Sequence, residues 1–313
     1  MERREKRGLI LQLHFIVNDL AGGGQGKKKW ALIERELTLD YNLHKTSYKG
    51  HATELARFIT EQRKRACIIA VGGDGTVHEV LNGIQSAEHI VLGAVRAGSG
   101  NDFTRGYSSF ATAQQIEQFV TKQHSELQDY GVIHFDNQHV IFVNNCGIGF
   151  DALVTRRANN SRLKKVLNKF RLGKLSYSYF VIQALLTFKP FQLSVLHNSE
   201  IQHFHDVWFA TVNNQPYYGG GMKLAPNSKM NDGILELTVV NELSRWKLMF
   251  LFGTVFFAKH TNFKEVKQIA SESFTLHYDE RIYCHTDGEI QTLQPGKQTI
   301  HIDICKQAWQ LAK

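Results

Sequence analysis

The sequence predicts two domains: an N-terminal α/β domain built on a parallel sheet, followed by a mostly antiparallel β-sandwich domain. At 313 residues the chain is long enough for two domains. Strand-like and helix-like patterns alternate in the first third, which is typical of a parallel sheet covered by helices. After about residue 128, short strand-like runs separated by turn residues predominate. We place the domains at residues 1–129 and 130–306, and expect the tail, 307–313, to return to the first.

The elements of the first domain follow in regular order. Short apolar runs predict strands, and apolar residues at helical spacing predict helices. Strands are predicted at residues 9–18, 43–48, 67–71 and 89–98, and helices at 28–39, 51–65 and 76–84.

The second domain reads as a succession of strands with one helical interruption at residues 156–188. The strand-like runs cover residues 139–154, 191–198, 206–214, 233–240, 273–280, 281–289 and 298–305.

Composition excludes some classes of protein. No apolar run reaches the roughly 18 residues that span a bilayer, and the longest, Leu248–Ala258, is interrupted by Gly253 and Thr254. The four cysteines are isolated, without the spacing of a metal site, which favours a reducing, cytoplasmic location.

The net charge of +8 is concentrated in one segment. Residues 152–199 contain nine Lys or Arg and no Asp or Glu, so the rest of the chain has a net charge of about −1. A local patch of this kind suits an anionic membrane surface as well as a nucleic acid.

The glycine-rich stretch Gly72-Gly73-Asp74-Gly75-Thr76 lies where a predicted strand ends and a helix begins. Glycines and the N–H groups of a helix start form an anion site, which suits phosphate. A carboxylate there would repel phosphate unless Mg²⁺ lies between them. These five residues alone favour equally a metal–nucleotide site and a plain turn in which Asp74 caps the helix.

Two further loops favour the metal–nucleotide site. "AGSGNDF" repeats the design at the next strand end, with Ser99, Asn101 and Asp102, and "NDLAGGGQGKK" follows the first strand. Neither a Walker A motif nor the kinase triplet His-Arg-Asp is present, so phosphoryl transfer would use another scaffold.

The motifs "GGDGTVHEVLNG", "GSGNDF", "NNCGIGFDA", "NDGILEL" and "HTDGE" together resemble the diacylglycerol kinase catalytic-domain family. They are most similar to its short bacterial lipid kinases, which are related to sphingosine kinases. The resemblance runs from about Asn18 to Glu289. It implies an N-terminal nucleotide domain, a C-terminal lipid-substrate domain, and transfer of phosphate from ATP to a lipid hydroxyl with Mg²⁺ in the cleft.

The same resemblance implies roles for particular residues. Glu289 would be the general base, and Asp74 would also act in catalysis. The nucleotide would be bound by Asn18, Thr46, Gly72, Gly73, Asp74, Gly75, Thr76, Val77, His78, Ser99 and Asn101. The nucleotide Mg²⁺ would be held by Asp74, Asp102 and Asp129, and a second, structural Mg²⁺ by the Asp232 side chain with the carbonyls of Lys229 and Ile234.

The first glycine turn departs from the family pattern. It begins Asn18-Asp19 where Asn-Pro is usual, and Gly22-Gly23-Gly24 replaces a Ser-Gly pair, so its nucleotide contacts are put in doubt. His78 also stands where Asn is more familiar.

Diacylglycerol, converted to phosphatidic acid, is the substrate we expect. A sphingoid base and phosphatidylglycerol suit the same motifs. Two functions of a different kind also stay open, namely a kinase for a soluble substrate such as NAD and a non-catalytic protein that binds membranes.

As partners we expect the lipid, no nucleic acid, and an anionic membrane touched peripherally through residues 156–174, where Leu163, Val166, Leu167 and Phe170 have helical spacing. An ordinary solvated surface helix explains this segment equally well, and a homodimer is left open. The aromatic run Met249–Phe257 is expected to be core or lipid-pocket lining, not a membrane-inserting segment.

Overall fold

The structure is a computed structural model that describes residues 11–85, 87–135, 138–160, 173–278, 282–291 and 298–313. The chain divides into two compact units. The N-terminal unit comprises Met1–Gln128 with Gln307–Lys313, and the C-terminal unit comprises Asp129–Lys306. This division falls one residue before the boundary expected from the sequence.

Helices and strands alternate as far as α5, and strands predominate from there on. In chain order the elements are β1 (Gln12–Val17), α1 (Ala21–Glu36), β2 (Asn42–Lys45), α2 (His51–Glu61), β3 (Ala66–Gly72), α3 (Asp74–Ile84), β4 (Ile90–Arg96), α4 (Phe103–Gly106), α5 (Ala113–Lys122), β5 (Ser125–Phe135), β6 (Gln138–Phe142), β7 (Asn145–Gly149), α6 (Phe150–Asn160), α7 (Gly173–Thr187), β8 (Phe191–His197), β9 (Glu200–Asn213), β10 (Tyr217–Tyr218), β11 (Met222–Lys223), β12 (Leu235–Asn241), α8 (Arg245–Val255), a 3₁₀ turn (Lys259–Asn262), β13 (Val266–Ser271), β14 (Ser273–Tyr278), β15 (Cys284–Thr286), β16 (Glu289–Gln291) and β17 (Gln298–Ala312).

The N-terminal unit is built on a parallel sheet in the order β2–β1–β3–β4–β17, in which β17 contributes its last residues. All seven residues of β3 are buried, as expected for a central strand covered on both faces. On one face Trp30 of α1 and Phe119 of α5 belong to the same core cluster as Phe15 of β1. The predicted α/β domain is confirmed.

The C-terminal unit is mostly antiparallel, as predicted. Its longest strand within the unit, β9, changes partners along its length. Residues 200–207 pair with β8, and residues 209–213 pair with both β7 and β12. The change follows Asp206, whose φ of 48° bends the strand. One core cluster joins these strands to α6, α7 and α8.

The aromatic run Met249–Phe257 corrects a prediction. Leu251 and Val255 are buried and Phe252 lines a cavity, but four other side chains of the run, Met249, Phe250, Phe256 and Phe257, are exposed. Both faces of this helix are apolar, so the sequence did not reveal which residues face the core. No described helix is long and apolar enough to cross a membrane. The basic helix expected around residues 162–171 lies outside the described residues.

Candidate active site

The loops that follow β1, β2, β3 and β4 line a pocket of about 480 Å³ in the N-terminal unit. The carboxyl ends of parallel strands are the usual place for a ligand in an α/β sheet. Seven residues predicted to bind nucleotide line this pocket: Asn18, Thr46, Gly73, Asp74, Gly75, Thr76 and Ser99.

The glycines of two neighbouring loops allow their backbones to touch. A Cβ atom added to Gly73 would lie only 2.8 Å from the Cα of Gly98, so neither position has room for a side chain. Asn101 closes the second loop, because its Nδ2 donates to the Gly98 carbonyl at 2.6 Å and its Oδ1 accepts from the Gly98 N–H at 2.8 Å. These contacts fix the loop after β4 against the loop after β3.

Asp74 is the first residue of α3, but it does not cap the helix. The N-cap is Gly73, without a side-chain hydrogen bond, and the Oδ1 of Asp74 accepts instead from the N–H of Phe103 at 2.9 Å. The plain turn capped by Asp74, which the sequence left open, is therefore not what forms.

Asp74, which is half-buried, and Asp102, which is buried, form a pair of like-charged groups at the pocket. Burial, and then the negative charge of Asp102, raise the pKa of Asp74, although N–H groups of the loop lower it in part. Arg105 compensates Asp102, since its Nη1 lies 2.9 Å from the Asp102 Oδ1. A carboxylate held beside a like charge in spite of the electrostatic cost is characteristic of a functional site.

The first glycine turn is held in place in spite of its unusual sequence. The Nδ2 of Asn18 donates to the Thr76 hydroxyl at 3.2 Å, and the Asn18 Oδ1 accepts from the N–H of Leu20 at 3.1 Å. Gly22, Gly23 and Gly24 all have positive φ, between 58° and 94°, which glycine adopts without strain. Gly22 also lines the pocket.

The other predicted nucleotide residues do not line the pocket. Val77 and His78 are buried on α3, and the His78 Nε2 accepts from Asn82 at 3.2 Å. Gly72 allows close contact with the Thr76 side chain, and Asn101 closes its loop. They support the residues that do line it.

Sequence reasoning missed several pocket residues, of which Glu79 is the most informative. Its Oε2 accepts from the N–H of Ala52 at 3.2 Å, and both residues line the pocket with Tyr48 and Lys49. Glu79 could have been found from the sequence, because it lies one helical turn after Gly75 and therefore on the same face of α3.

In the C-terminal unit, Glu289 lies on the β15–β16 hairpin, paired with Thr286. The two residues between the strands, Asp287 and Gly288, have φ of 47° and 84°, as in a tight type I′ turn. The Asp287 carboxylate accepts hydrogen bonds from the backbone N–H groups of Val143, Asn144 and Asn145 at 2.9, 2.8 and 3.0 Å. These bonds position the hairpin and therefore Glu289.

Asp129 lies in the C-terminal unit, where it holds the turn Asn231-Asp232-Gly233. Its Oδ2 accepts from the Gly233 N–H at 2.8 Å, and its own N–H donates to the Met230 carbonyl at 2.8 Å. Asp232 Oδ1 accepts from the Ile234 N–H at 3.1 Å within the turn, which Lys229 precedes.

A half-buried carboxylate, Glu236, accompanies this turn. Its Oε2 has no hydrogen-bond partner although that atom is buried. Burial, and then the charge of Asp232, raise its pKa. An orphaned carboxylate oxygen beside a second carboxylate fits a bound cation.

Among the described residues, no three His, Cys, Asp or Glu side chains are arranged to hold a metal by themselves. Magnesium is commonly held by one or two carboxylates, with substrate phosphates and water as the remaining ligands. Asp74 and Asp102 supply two carboxylates beside loops suited to phosphate, which fits that donor set.

The C-terminal unit also contains a narrow apolar cavity of about 20 Å³ with one polar end. Helices α6, α7 and α8 supply apolar lining, and Asp151 and Tyr218 supply the polar groups. The Asp151 Oδ2 accepts from Thr211 at 3.0 Å and lies 3.2 Å from the Nε2 of the buried His285. Asp151 lies in the motif "NNCGIGFDA" and Tyr218 in the glycine-rich loop 216–226, but the sequence assigned no individual role to either residue.

The two units match two family descriptions. Residues 12–133 match "Diacylglycerol kinase catalytic domain", and residues 144–306 match "YegS C-terminal NAD kinase beta sandwich-like domain".

Relatives extend these matches over most of the chain. The putative lipid kinase YtlR of Bacillus subtilis is 36% identical, over 90% of this chain and 94% of its own. A diacylglycerol kinase of Mycobacterium tuberculosis is 28% identical, over 74% of this chain and 72% of its own. In fold, the chain resembles the crystal structure of a putative diacylglycerol kinase from Bacillus anthracis, with a TM-score of 0.74 at 23% identity, covering 100% of this chain and 98% of that one. The chain thus belongs to the lipid kinase family that joins a diacylglycerol kinase catalytic domain to a YegS-type C-terminal domain.

Proposed function

We propose that this ATP-dependent lipid kinase converts diacylglycerol to phosphatidic acid and requires Mg²⁺. The observation that carries the proposal is the pair of carboxylates Asp74 and Asp102 at the edge of a pocket lined by glycine loops. Relatives named diacylglycerol kinase support the choice of lipid.

The pocket loops would bind the phosphates of ATP. Gly73 and Gly75, at the start of α3, line the pocket without a side chain, and the helix dipole favours an anion there. Asn18 and Thr76 would keep the first turn closed against them.

Asp74 and Asp102 would hold the nucleotide-bound ion. Mg²⁺ bound there would neutralise charge on the transferring phosphoryl group. Asp129 and Asp232 would act at the Asn231–Gly233 turn, with Glu236 as a further carboxylate for a structural ion.

Glu289 would act on the lipid. Its carboxylate would accept the proton of the lipid hydroxyl as that oxygen attacks the γ-phosphorus and ADP leaves. Asp287 would keep the hairpin, and so this carboxylate, in one place.

The cavity ending at Asp151 and Tyr218 is our proposal for the interior that receives the lipid. It now has room for about one water molecule, so α7 and α8 would have to part to admit an acyl chain. The enzyme would work peripherally at the cytoplasmic face of an anionic membrane, with residues 156–174 contributing positive charge.

Thin-layer analysis of products made from radiolabelled ATP and total lipid extract tests the substrate. We expect labelled phosphatidic acid, with much less formed by Asp74→Asn. A labelled sphingoid-base phosphate or phosphatidylglycerol phosphate as main product would replace diacylglycerol with that lipid. Label transferred to NAD in the absence of lipid would overturn the proposal.

A further inference from the structure

Helix α8 and the turn after it expose an unusual number of large apolar side chains. Trp246, Phe250 and Phe257 are 75%, 67% and 76% exposed, with Met249 and Phe256 also exposed. The opposite side of the same helix is buried through Leu248, Leu251 and Val255. We call the five exposed residues, Trp246, Met249, Phe250, Phe256 and Phe257, the aromatic face.

Helix α7 lies beside α8 and also exposes apolar side chains. The guanidinium of Arg245, at the start of α8, donates to the carbonyls of Leu185 and Phe188 at the end of α7. Tyr179, Ile182 and Leu186 of α7 are exposed at spacings of three and four residues, on one side of that helix. Both helices also line the apolar cavity.

The surroundings of the aromatic face are positively charged. From Leu243 to Lys264 the chain has four Lys or Arg and no Asp or Glu. The next acid, Glu265, is buried and lies 2.5 Å from the Nζ of Lys247. The stretch that holds α7 is likewise free of acid, from Ala152 to Ser199.

This combination matches the chemistry of a membrane interface. Trp and Phe side chains are favoured at the boundary between headgroups and acyl chains, and flanking Lys and Arg are attracted to anionic lipids. A surface that bound an acidic protein would not need four exposed aromatic rings on one helix and the turn after it.

We propose that the aromatic face inserts into the headgroup region of an anionic bilayer, with the exposed Lys259 and Lys264 against the lipid phosphates, since Arg245 and Lys247 are engaged within the protein. The proposal rests on the proposed function in one respect, namely that the substrate is a membrane lipid. It differs from contact through residues 156–174, because it requires insertion of aromatic side chains and not charge alone.

Tryptophan fluorescence gives a direct test. The other three tryptophans, Trp30, Trp208 and Trp309, are no more than 3% exposed, so a change caused by vesicles reports mainly on Trp246. With vesicles of phosphatidylcholine and phosphatidylglycerol, and no nucleotide, we expect a blue shift and quenching by lipids brominated on the chains. The Trp246→Phe variant should lose both signals. Absence of both signals in the unmodified protein would overturn the proposal.

Vesicle sedimentation gives a second measurement. The triple change Trp246→Ser, Phe250→Ser and Phe257→Ser should weaken binding at least about tenfold. Phe58→Ser is the matched control, because Phe58 is an aromatic residue 60% exposed on α2. Equal binding by the triple variant and the control would overturn the proposal, as would equal affinity for vesicles of phosphatidylcholine alone.

Self-association is the main competing explanation of the aromatic face. A blue shift that grows with protein concentration without vesicles, and a dimer mass abolished by the triple change, would assign the face to a second copy and overturn the proposal. Activity on short-chain diacylglycerol in neutral detergent separates this inference from the proposed function. The triple variant should retain that activity, whereas failure of the unmodified protein to phosphorylate the lipid would count against the function alone.

Discussion

The dipeptide Asp-Gly follows a strand in both units, as Asp74-Gly75 after β3 and as Asp287-Gly288 after β15, yet the two carboxylates differ in their surroundings. Asp287 is surrounded by donors, because three backbone N–H groups point at it. Asp74 is half-buried beside Asp102, and its pKa is raised although it also accepts from backbone N–H groups. We infer that Asp287 stabilises the fold, whereas Asp74 costs stability, which suits its proposed role in binding.

Of the variants that test this comparison, Asp74→Asn is expected to have the largest effect. If Asp74 holds the magnesium ion as proposed, its loss should cost several kcal/mol of transition-state stabilisation, or about 10³-fold in turnover. The folded protein should nevertheless become more stable. The pKa of Asp74 is higher in the folded than in the unfolded state, so its contribution to stability is present at low pH and is lost as pH rises through the folded pKa.

Thermal melts in metal-free buffer at several pH values test the expected gain in stability. Asp74→Asn should have a higher Tm than the unmodified protein at pH 7, with the difference shrinking at acid pH. An unchanged or lower Tm at pH 7 would contradict the electrostatic account of Asp74 and Asp102.

The next largest effect is expected for Glu289→Gln, a variant that distinguishes the role of Asp287 from that of Glu289. Removal of a positioned base should reduce turnover by about 10²-fold. Nucleotide binding by calorimetry and the Tm should not change, because Asp287 still positions the hairpin. Near-normal turnover in the folded variant would remove Glu289 from the catalytic role.

Asp287→Asn should act on stability first. An amide oxygen replaces a charged acceptor of three N–H groups, and bonds to charged groups contribute about 2 kcal/mol each. We expect the free energy of unfolding to fall by about that amount in urea titrations. If Asp287→Asn instead raised the free energy of unfolding, as expected for Asp74→Asn, the two carboxylates would have the same effect on stability.

The glycines of the two dipeptides should also differ, by about 1 kcal/mol. Gly288 has φ of 84°, so Gly288→Ala forces a left-handed conformation that costs about that much. Gly75 has ordinary φ, and an added Cβ would meet nothing within 4 Å, so Gly75→Ala is the control with little change in unfolding free energy. Equal losses in both variants would mean that backbone conformation does not distinguish the two turns.

The smallest effect concerns a third Asp-Gly dipeptide, Asp232-Gly233. If Asp232 and Glu236 hold a structural ion, Mg²⁺ should raise the Tm by an amount that reflects about 1 kcal/mol of binding linkage. Glu236→Gln should abolish this response and raise the Tm of the metal-free protein. An undiminished response to Mg²⁺ in the variant would place the ion elsewhere.

Local patterns in the sequence predicted well the elements that surround the pocket of the N-terminal unit. The apolar run Cys67–Val71 and the helical spacing of Val77, Val80 and Leu81 gave β3 and α3, since both signals lie within a few residues of each other. The loops at the strand ends follow from the parallel order of the sheet.

Contacts between distant segments could not be read in the same way. Asp287 bonds to N–H groups more than 140 positions earlier, and Gly73 touches Gly98 only because β3 and β4 are neighbours in register. The exposed side of α8 was missed for a different reason. Its residues are apolar on both sides, and only packing shows that Leu251 faces inward and Phe250 outward.

The parallel sheet of the N-terminal unit ends in residues that come late in the chain. Gln310 and Leu311 of β17 pair with Val91 and Leu92 of β4, and the Ser108 hydroxyl donates to the Ala312 carbonyl. During synthesis, Val91 and Leu92 of β4 therefore lack strand partners on that edge until all of Asp129–Lys306 has been translated. An expressed fragment that stopped at Gln128 would keep that edge open and be prone to aggregate, whereas a chain that fused residues 307–313 behind a short linker would supply the missing strand.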